Sequence, residues 1–208
     1  MVDEAPVEIV ERMRLGETAA LAEAFALLRP RLWRTIHFRL DRRLAGRLDA
    51  DDILQEAYMN AAQRLPHFGE KQELSCFLWL RMITNQTLVD FHRRHLGAQR
   101  RDAGRERSIH RGGGDDTSGS LAGMLLAELT SPSGVAVRHE LTTYLENALE
   151  SMDEIDRETL ALRHFEELTN GEVAEVLGIS KTAASNRYAR ALVRLREILA
   201  DAPGFGDE

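Results

Sequence analysis

The pattern of a helix-turn-helix is carried by residues 168–188, which read LTNGEVAEVLGISKTAASNRY. Ala174 is a small residue that lets two helices approach closely, and Gly178 stands where a left-handed turn would end the first helix. Ser180 is a preferred residue for starting the second helix. Together they predict two helices joined by a tight turn, the unit that places a helix in the DNA major groove.

The second of these helices is amphipathic. Its expected apolar face holds Ala184, Tyr188, Ala191, Leu192, Leu195, Ile198 and Leu199. The opposite face carries side chains that can contact base edges or phosphates. We therefore take as candidate DNA-binding residues Lys181, Thr182, Ser185, Asn186, Arg187 and Arg190. The alternative is an amphipathic helical hairpin whose basic face is merely solvated.

The formal net charge of −7 argues at first against a nucleic-acid partner, because phosphate contacts need Lys and Arg. The distribution of charge reverses this. Residues 180–196 contain Lys181, Arg187, Arg190, Arg194 and Arg196 and no acid, whereas residues 140–158 contain Glu140, Glu146, Glu150, Asp153, Glu154, Asp156 and Glu158. Such segregation suits a protein with both DNA and protein partners.

Length and composition favour an all-α chain of two small helical domains. The chain has 208 residues, 43% of them hydrophobic and only 6% aromatic, which is typical of helix bundles built on aliphatic side chains. No segment resembles a secretory signal or a membrane span, so we expect a cytoplasmic protein without a membrane partner. The single cysteine, Cys76, excludes an internal disulfide and is expected to be a buried structural thiol.

The first domain is predicted to begin with two helices between Val7 and about Leu44. The second of them is decorated by Arg29, Arg31, Arg34, Arg39, Arg42 and Arg43. A third helix, capped by Asp51 or Asp49 and ended by Pro66, has an apolar stripe of Leu54, Ala57, Tyr58, Ala61 and Leu65. This stripe leaves Asp52, Gln55 and Glu56 facing outward.

A fourth helix is predicted from about Leu74 to His95. It ends in the basic cluster His92-Arg93-Arg94-His95, just before Gly97. Trp79 and Phe91 follow the apolar spacing and are expected in the core of a four-helix bundle.

These elements give a first domain at residues 7–97, a flexible linker at 98–136 and a second domain at 137–200. The linker contains the run GGGDDTSGS at residues 112–120, which is typical of a flexible segment. Within it, residues 121–129 are apolar enough for a short helix.

Two segments of the first domain resemble known motifs. Residues 49–61, DADDILQEAYMNA, resemble the polymerase-binding helix of the sigma-70 family, and residues 77–94, FLWLRMITNQTLVDFHRR, resemble its promoter-opening helix. Both precede the helix-turn-helix in the family's order, and the resemblance covers about residues 7–95 and 141–199. No domain for a third promoter contact fits between them, which indicates the extracytoplasmic-function branch. Residues 179–188, ISKTAASNRY, are similar to planctomycete-type members.

The resemblance implies a sigma factor that directs core RNA polymerase to promoter DNA and helps to melt it. Asp52, Gln55 and Glu56 would dock on the beta-prime clamp helices, while the second domain would meet the beta flap and the upstream promoter element. The downstream strand would be held by His92, Arg93, Arg94 and Asn85, although Gln86 is an alternative to Asn85. Residues 183–186, AASN, depart from the family's frequent Thr-Val-Lys-Ser, so the preferred upstream sequence does not transfer.

We expect no enzymatic activity, no cofactor and no metal site. Besides polymerase and promoter DNA, an anti-sigma factor is a further partner that the resemblance allows. The linker, with Asp115 and Asp116, would thread towards the polymerase cleft or act as an inert tether; both interpretations stay open. The alternative function is a free-standing helix-turn-helix regulator whose N-terminal bundle senses a signal or dimerises.

Overall fold

The structure, a computed structural model, describes residues 4–40, 49–70, 74–102, 121–122 and 135–201. These residues form helices and no strands, in agreement with the predicted all-α class. The chain divides into two compact units, residues 1–106 and 107–208. Within the described ranges, none of the helices has the length and apolar character needed to cross a membrane.

The first unit contains four α-helices. They are α1 (Val7–Arg14), α2 (Thr18–Arg39), α3 (Ala50–Arg64) and α4 (Cys76–Asp102), with a 3-10 helix at Leu65–Glu70. Asp49 caps α3, because its side chain accepts a hydrogen bond from the Asp51 backbone N–H at 3.0 Å. The cap is thus Asp49, and Asp51 lies in the first helical turn. The basic cluster does not end α4, which continues to Asp102.

The core of the first unit is aliphatic and aromatic. Its most buried side chains include Leu21, Leu28, Leu32, Ile36, Ile53, Phe77, Leu80 and Ile83. Trp79 and Phe91 are also buried, which confirms their assignment to the core. Cys76 is buried as expected, with its Sγ 3.7 Å from the Met13 Sδ. Burial, assisted by the charge of Glu4, raises the pKa of the Cys76 thiol to about 12.

Arg31 corrects the expectation that the arginines of α2 all decorate its surface. Its side chain is only 2% exposed, and its guanidinium carbon lies 3.5 Å from the ring centroid of Phe77 on α4. The π-face of Phe77 attracts the cation, which offsets part of the cost of burying it. Arg42 and Arg43, which belong to the same prediction, lie outside the described residues.

The second unit contains the helix-turn-helix. Its helices are α5 (Val135–Glu150), α6 (Glu154–Leu160), α7 (Asn170–Leu177) and α8 (Lys181–Ala200), and α6 continues into a π-helical turn at Ala161–Phe165. The buried side chains of this unit include Leu141, Leu145, Leu149, Leu160, Leu162, Leu168, Val173, Ala184, Ala191 and Ile198.

Most of the proposed linker lies outside the described residues, including the glycine-rich run at 112–120. Of the short helix expected at residues 121–129, only Leu121 and Ala122 are described, and both are helical and buried. Because α4 ends at Asp102 and α5 begins at Val135, regular structure extends past both predicted ends of the linker.

Candidate nucleic-acid interface

The turn between α7 and α8 follows the local signals in the sequence. Gly178 adopts the left-handed conformation, with φ at 64°, and the Ser180 side chain accepts a hydrogen bond from the Ala183 backbone N–H at 3.1 Å. Thr169 and Glu172 form a capping box at the start of α7. Asn170 joins the two helix starts, since its Nδ2 donates to the Lys181 carbonyl at 2.8 Å. These bonds fix the angle at which α8 leaves the turn.

Four of the candidate DNA-binding residues are exposed near the start of α8. They are Lys181, Thr182, Ser185 and Asn186. Positions 181 and 185, like 182 and 186, are four apart, so the four side chains share one helix face. This face offers one cation, two hydroxyls and one amide. Hydroxyl and amide groups both donate and accept hydrogen bonds, which is the chemistry that base edges require.

The expected apolar face of α8 is narrower than predicted. Ala184, Ala191, Leu195 and Ile198 are buried, and Tyr188 is half-buried beneath the Arg163 guanidinium, 5.3 Å from the ring centroid. Leu192, however, is 39% exposed and does not belong to the buried face. Leu192 lies eight residues after Ala184, and at 3.6 residues per turn this places it about 80° around the helix from that buried position.

Arg187 and Arg190 are both paired with acids of α6 or its cap. The Arg187 Nη1 lies 2.7 Å from the Asp156 Oδ1 and 3.3 Å from the Asp153 Oδ1. The Arg190 Nε and Nη2 each lie 3.1 Å from an Asp156 carboxylate oxygen, a two-pronged contact. Burial alone would raise the pKa of Asp156, but the hydrogen bonds and charges of Arg190 and Arg187 outweigh it and hold that pKa below its ordinary value.

Sequence reasoning found the two arginines but missed their partners. The sequence shows Asp153 and Asp156 only as part of an acidic segment, because the pairing joins residues more than thirty positions apart. The available signal was the opposite charge of the two segments, 140–158 and 180–196. In the folded second unit that segregated charge is partly neutralised.

Asn85 and Gln86 of α4, the two alternatives for the amide that contacts the downstream strand, differ in burial and in hydrogen bonding. Asn85 is half-buried, and no described donor reaches its buried Oδ1. Gln86 is exposed, and its Oε1 accepts a hydrogen bond from Arg64 of α3. The Asn85 Oδ1 therefore has hydrogen-bonding capacity but is shielded from solvent, whereas the Gln86 amide is exposed and already has one partner.

The basic cluster within α4 contains the other candidates. Arg93 is 70% exposed, with its Nη1 3.8 Å from the Asp90 carboxylate, and His92 is half-buried. Arg94 packs its guanidinium 4.5 Å from the Phe91 ring centroid and forms an ion pair with Glu56 at 2.6 Å.

The candidate polymerase-binding residues lie on α3. Asp52 and Gln55 are exposed, whereas Glu56 is half-exposed and pairs with Arg94. The same side of α3 makes two more polar contacts with α4, Asn60 to Thr87 at 2.9 Å and Arg64 to Gln86. We call these three pairs the α3–α4 polar seam. The seam joins the helix expected to bind polymerase to the helix expected to bind DNA.

Comparisons with known proteins agree with this geometry. A family model described as "Sigma-70 region 2" matches residues 25–96, and one described as "Sigma-70, region 4" matches residues 142–195; together they cover more than half of the chain. RNA polymerase sigma factor SigZ of Bacillus subtilis (strain 168) is 26% identical over 172 residues, which is 81% of this chain and 85% of SigZ. ECF RNA polymerase sigma factor SigW of the same strain is 22% identical over 92% of this chain and 95% of SigW.

A solved structure shares the fold. CnrH, in complex with the cytosolic domain of CnrY, superposes with a TM-score of 0.52 at 20% sequence identity, covering 93% of this chain and 97% of CnrH.

Proposed function

This chain belongs to the sigma-70 family of transcription-initiation factors, in its extracytoplasmic-function branch, and we propose how its exposed faces divide the work. As a sigma factor it directs RNA polymerase to promoters. The residues that perform each step, and the domain limits 7–97 and 137–200 with a linker at 98–136, are proposals. The single observation that carries the account is the presence of both regions in one chain, each with an exposed polar helix face.

The exposed side of α3 is the proposed polymerase contact. Asp52, Gln55 and Glu56 present acidic and amide groups within two helical turns, which suits a basic partner helix such as the beta-prime clamp helices. Complementary charge of this kind steers association and fixes register more than it adds affinity. The second domain would contact the beta flap.

The N-terminal face of α8 is the proposed reader of the upstream promoter element. Lys181, Thr182, Ser185 and Asn186 are exposed together at the end of a helix that the turn holds at a fixed angle. A helix placed this way reads base edges from its first turns while neighbouring cations hold phosphates. Asn186 is the strongest candidate for base recognition, because an amide can bond adenine with two hydrogen bonds.

The basic cluster of α4 at residues 92–94, with Asn85 two turns before it, is the proposed site of promoter opening. Extracting a base from the stack costs a few kcal/mol, which contacts to the single strand must offset. Arg93 and Arg94 would hold phosphates, His92 would stack or donate a hydrogen bond, and Asn85 would offer its amide to the unstacked base. Arg94 would either leave Glu56 to bind a phosphate or contact both groups at once.

We further propose a cytoplasmic location, no catalytic step performed by the chain itself, and control by an anti-sigma factor. The last proposal draws on CnrH, whose structure was solved in complex with the cytosolic domain of CnrY. A free-standing regulator is not favoured, because the chain matches sigma-70 region 2 as well as region 4 and is similar to sigma factors over most of their length.

Run-off transcription tests the assignment. Sigma-free core polymerase would be supplied with a genomic promoter library, with and without the full chain. New transcripts that start at a shared pair of sequence elements are expected. Duplex binding by the chain without any polymerase-dependent transcript would contradict the proposal and favour a free-standing regulator.

A further inference from the structure

Asp156 occupies an unusual position for an acid near a DNA-binding helix. It lies in the first turn of α6 with its side chain only 12% exposed, and its two carboxylate oxygens receive Arg187 at 2.7 Å and Arg190 at 3.1 Å. A carboxylate this close to the interface would repel DNA phosphates if it were unpaired. Its pairing therefore determines the charge that this side of α8 presents.

The two arginines differ in how far they remain available. The Arg187 side chain is 26% exposed and has a second acid, Asp153, at 3.3 Å, so it is largely satisfied within the protein. The Arg190 side chain is 61% exposed, and Asp156 grips its Nε and Nη2 from one side. A planar guanidinium held at two nitrogens keeps one orientation, while its exposed portion can still reach a phosphate.

Arg190 also stands next to the reading face. It follows Asn186 by four residues, one helical turn further along α8. The orientation of Arg190 therefore affects where the backbone of the DNA sits relative to the amide of Asn186.

We propose that Asp156 is a positioning residue for DNA recognition: it fixes the guanidinium of Arg190 and cancels charge beside α8, so that binding depends more on the reading face than on general attraction to phosphates. The inference rests on the proposed function, in which α8 reads the upstream promoter element. Two arginines and two aspartates make the cluster formally neutral, whereas a free arginine would contact any phosphate regardless of sequence.

The test compares Asp156→Asn with the wild-type full chain on two duplexes, one of arbitrary sequence and one carrying the upstream element found by run-off transcription. Freeing one cation should strengthen binding to the arbitrary duplex by about fivefold near 0.15 M salt and steepen the log–log salt dependence by about 0.9. Binding to the promoter duplex should gain less, so the specificity ratio should fall.

Asp153→Asn is the matched control. It removes the same charge about one turn away, and of the two arginines Asp153 contacts only Arg187; asparagine preserves the helix cap that Asp153 provides. The proposal predicts a markedly smaller change in salt dependence for this variant. Equal changes in salt dependence for both variants would mean that only the loss of a negative charge matters, and this would contradict the positioning role.

A second background guards against a folding defect in Asp156→Asn. Arg190→Gln changes an exposed side chain, and in that background Asp156→Asn should alter salt dependence much less, because most of the effect acts through Arg190 and Arg187 keeps Asp153. An unchanged effect there, or a parallel loss on both duplexes, would overturn the inference. One outcome would contradict the inference but not the proposed role of α8. The wild type would bind the arbitrary duplex and Arg190→Gln would weaken that binding, but Asp156→Asn would leave it unchanged. Absence of any salt-dependent duplex binding by the wild type would contradict the proposed role of α8 as well.

Discussion

The Glu56 carboxylate on α3 lies 2.6 Å from the Arg94 guanidinium on α4, so a residue proposed to bind polymerase is paired with one proposed to bind DNA. The pair belongs to the α3–α4 polar seam, with Asn60–Thr87 and Arg64–Gln86 beside it. Seam contacts of this kind fix the register of the two helices. A partner that draws Glu56 away would leave Arg94 free for a phosphate.

Replacing Glu56 with glutamine should separate these roles. Both side chains are about half exposed, so loss of the ion pair should lower the free energy of unfolding by less than about 1 kcal/mol. Affinity for core polymerase should fall several-fold, which competition against a labelled sigma factor would measure. Glu8→Gln, on an exposed position of α1, is the matched control. Equal affinities of Glu56→Gln and Glu8→Gln for core polymerase would contradict a role for Glu56 in the polymerase contact.

Glu167 and Gly178 share a backbone conformation that side chains disfavour. Their φ values are 57° and 64°, and nothing lies within 4 Å of a Cβ added to Gly178. Glu167→Gly should therefore raise the free energy of unfolding by up to about 1 kcal/mol, and Gly178→Ala should lower it by about 1 kcal/mol. Urea denaturation of the full chain, followed in the second unit, checks both. Destabilisation by Glu167→Gly would show that its side chain matters more than its backbone strain.

Ser180 allows the helix cap to be separated from DNA binding. Ser180→Ala removes the acceptor for the Ala183 N–H and should cost about 1 kcal/mol of stability. Ser180→Asp keeps a capping oxygen, so stability should be retained, but it adds a negative charge at the start of α8 and should weaken duplex binding. Thermal unfolding and fluorescence anisotropy on one DNA would be measured together. Undiminished binding by Ser180→Asp would contradict the placement of DNA at this helix end.

Cys76 reports on the opening of the first unit. Only the thiolate reacts with disulfide reagents, and burial raises the pKa of this thiol to about 12, so the folded protein should react very slowly at pH 8. Labelling should accelerate in proportion to the unfolded fraction as urea is added. Rapid labelling at full rate without denaturant would contradict the packing of Cys76 against Met13.

Much of this architecture could be predicted because its signals are local. Gly178, Ser180 and the Thr169–Glu172 capping box each act within four residues, so the turn before α8 follows from the sequence. The choice between Asp49 and Asp51 as the cap of α3 could not be made, because aspartates two positions apart give the same signal.

What escaped prediction depends on distant partners. The buried Arg31 packs its guanidinium on the ring of Phe77, which belongs to another helix, and Arg187 and Arg190 are paired with Asp156 on α6. Periodicity identifies the helix face on which a residue lies, but it does not identify the side chains of other helices that pack against that face. The residues that contact polymerase, promoter DNA and an anti-sigma factor stay proposals for the same reason, since each contact requires a surface that this chain does not contain.

The most direct test of the division between reading and opening is run-off transcription from the genomic promoter library with Asn186→Ala and, separately, Arg93→Ala. Asn186→Ala should change the bases preferred at one or two positions of the upstream element and leave the downstream element unchanged, at a cost of about 1–3 kcal/mol on the original promoters. Arg93→Ala should weaken transcription from all promoters alike, with the largest loss at low temperature, where opening is hardest. An equal loss across every promoter from Asn186→Ala, with no change in the preferred bases, would contradict the account.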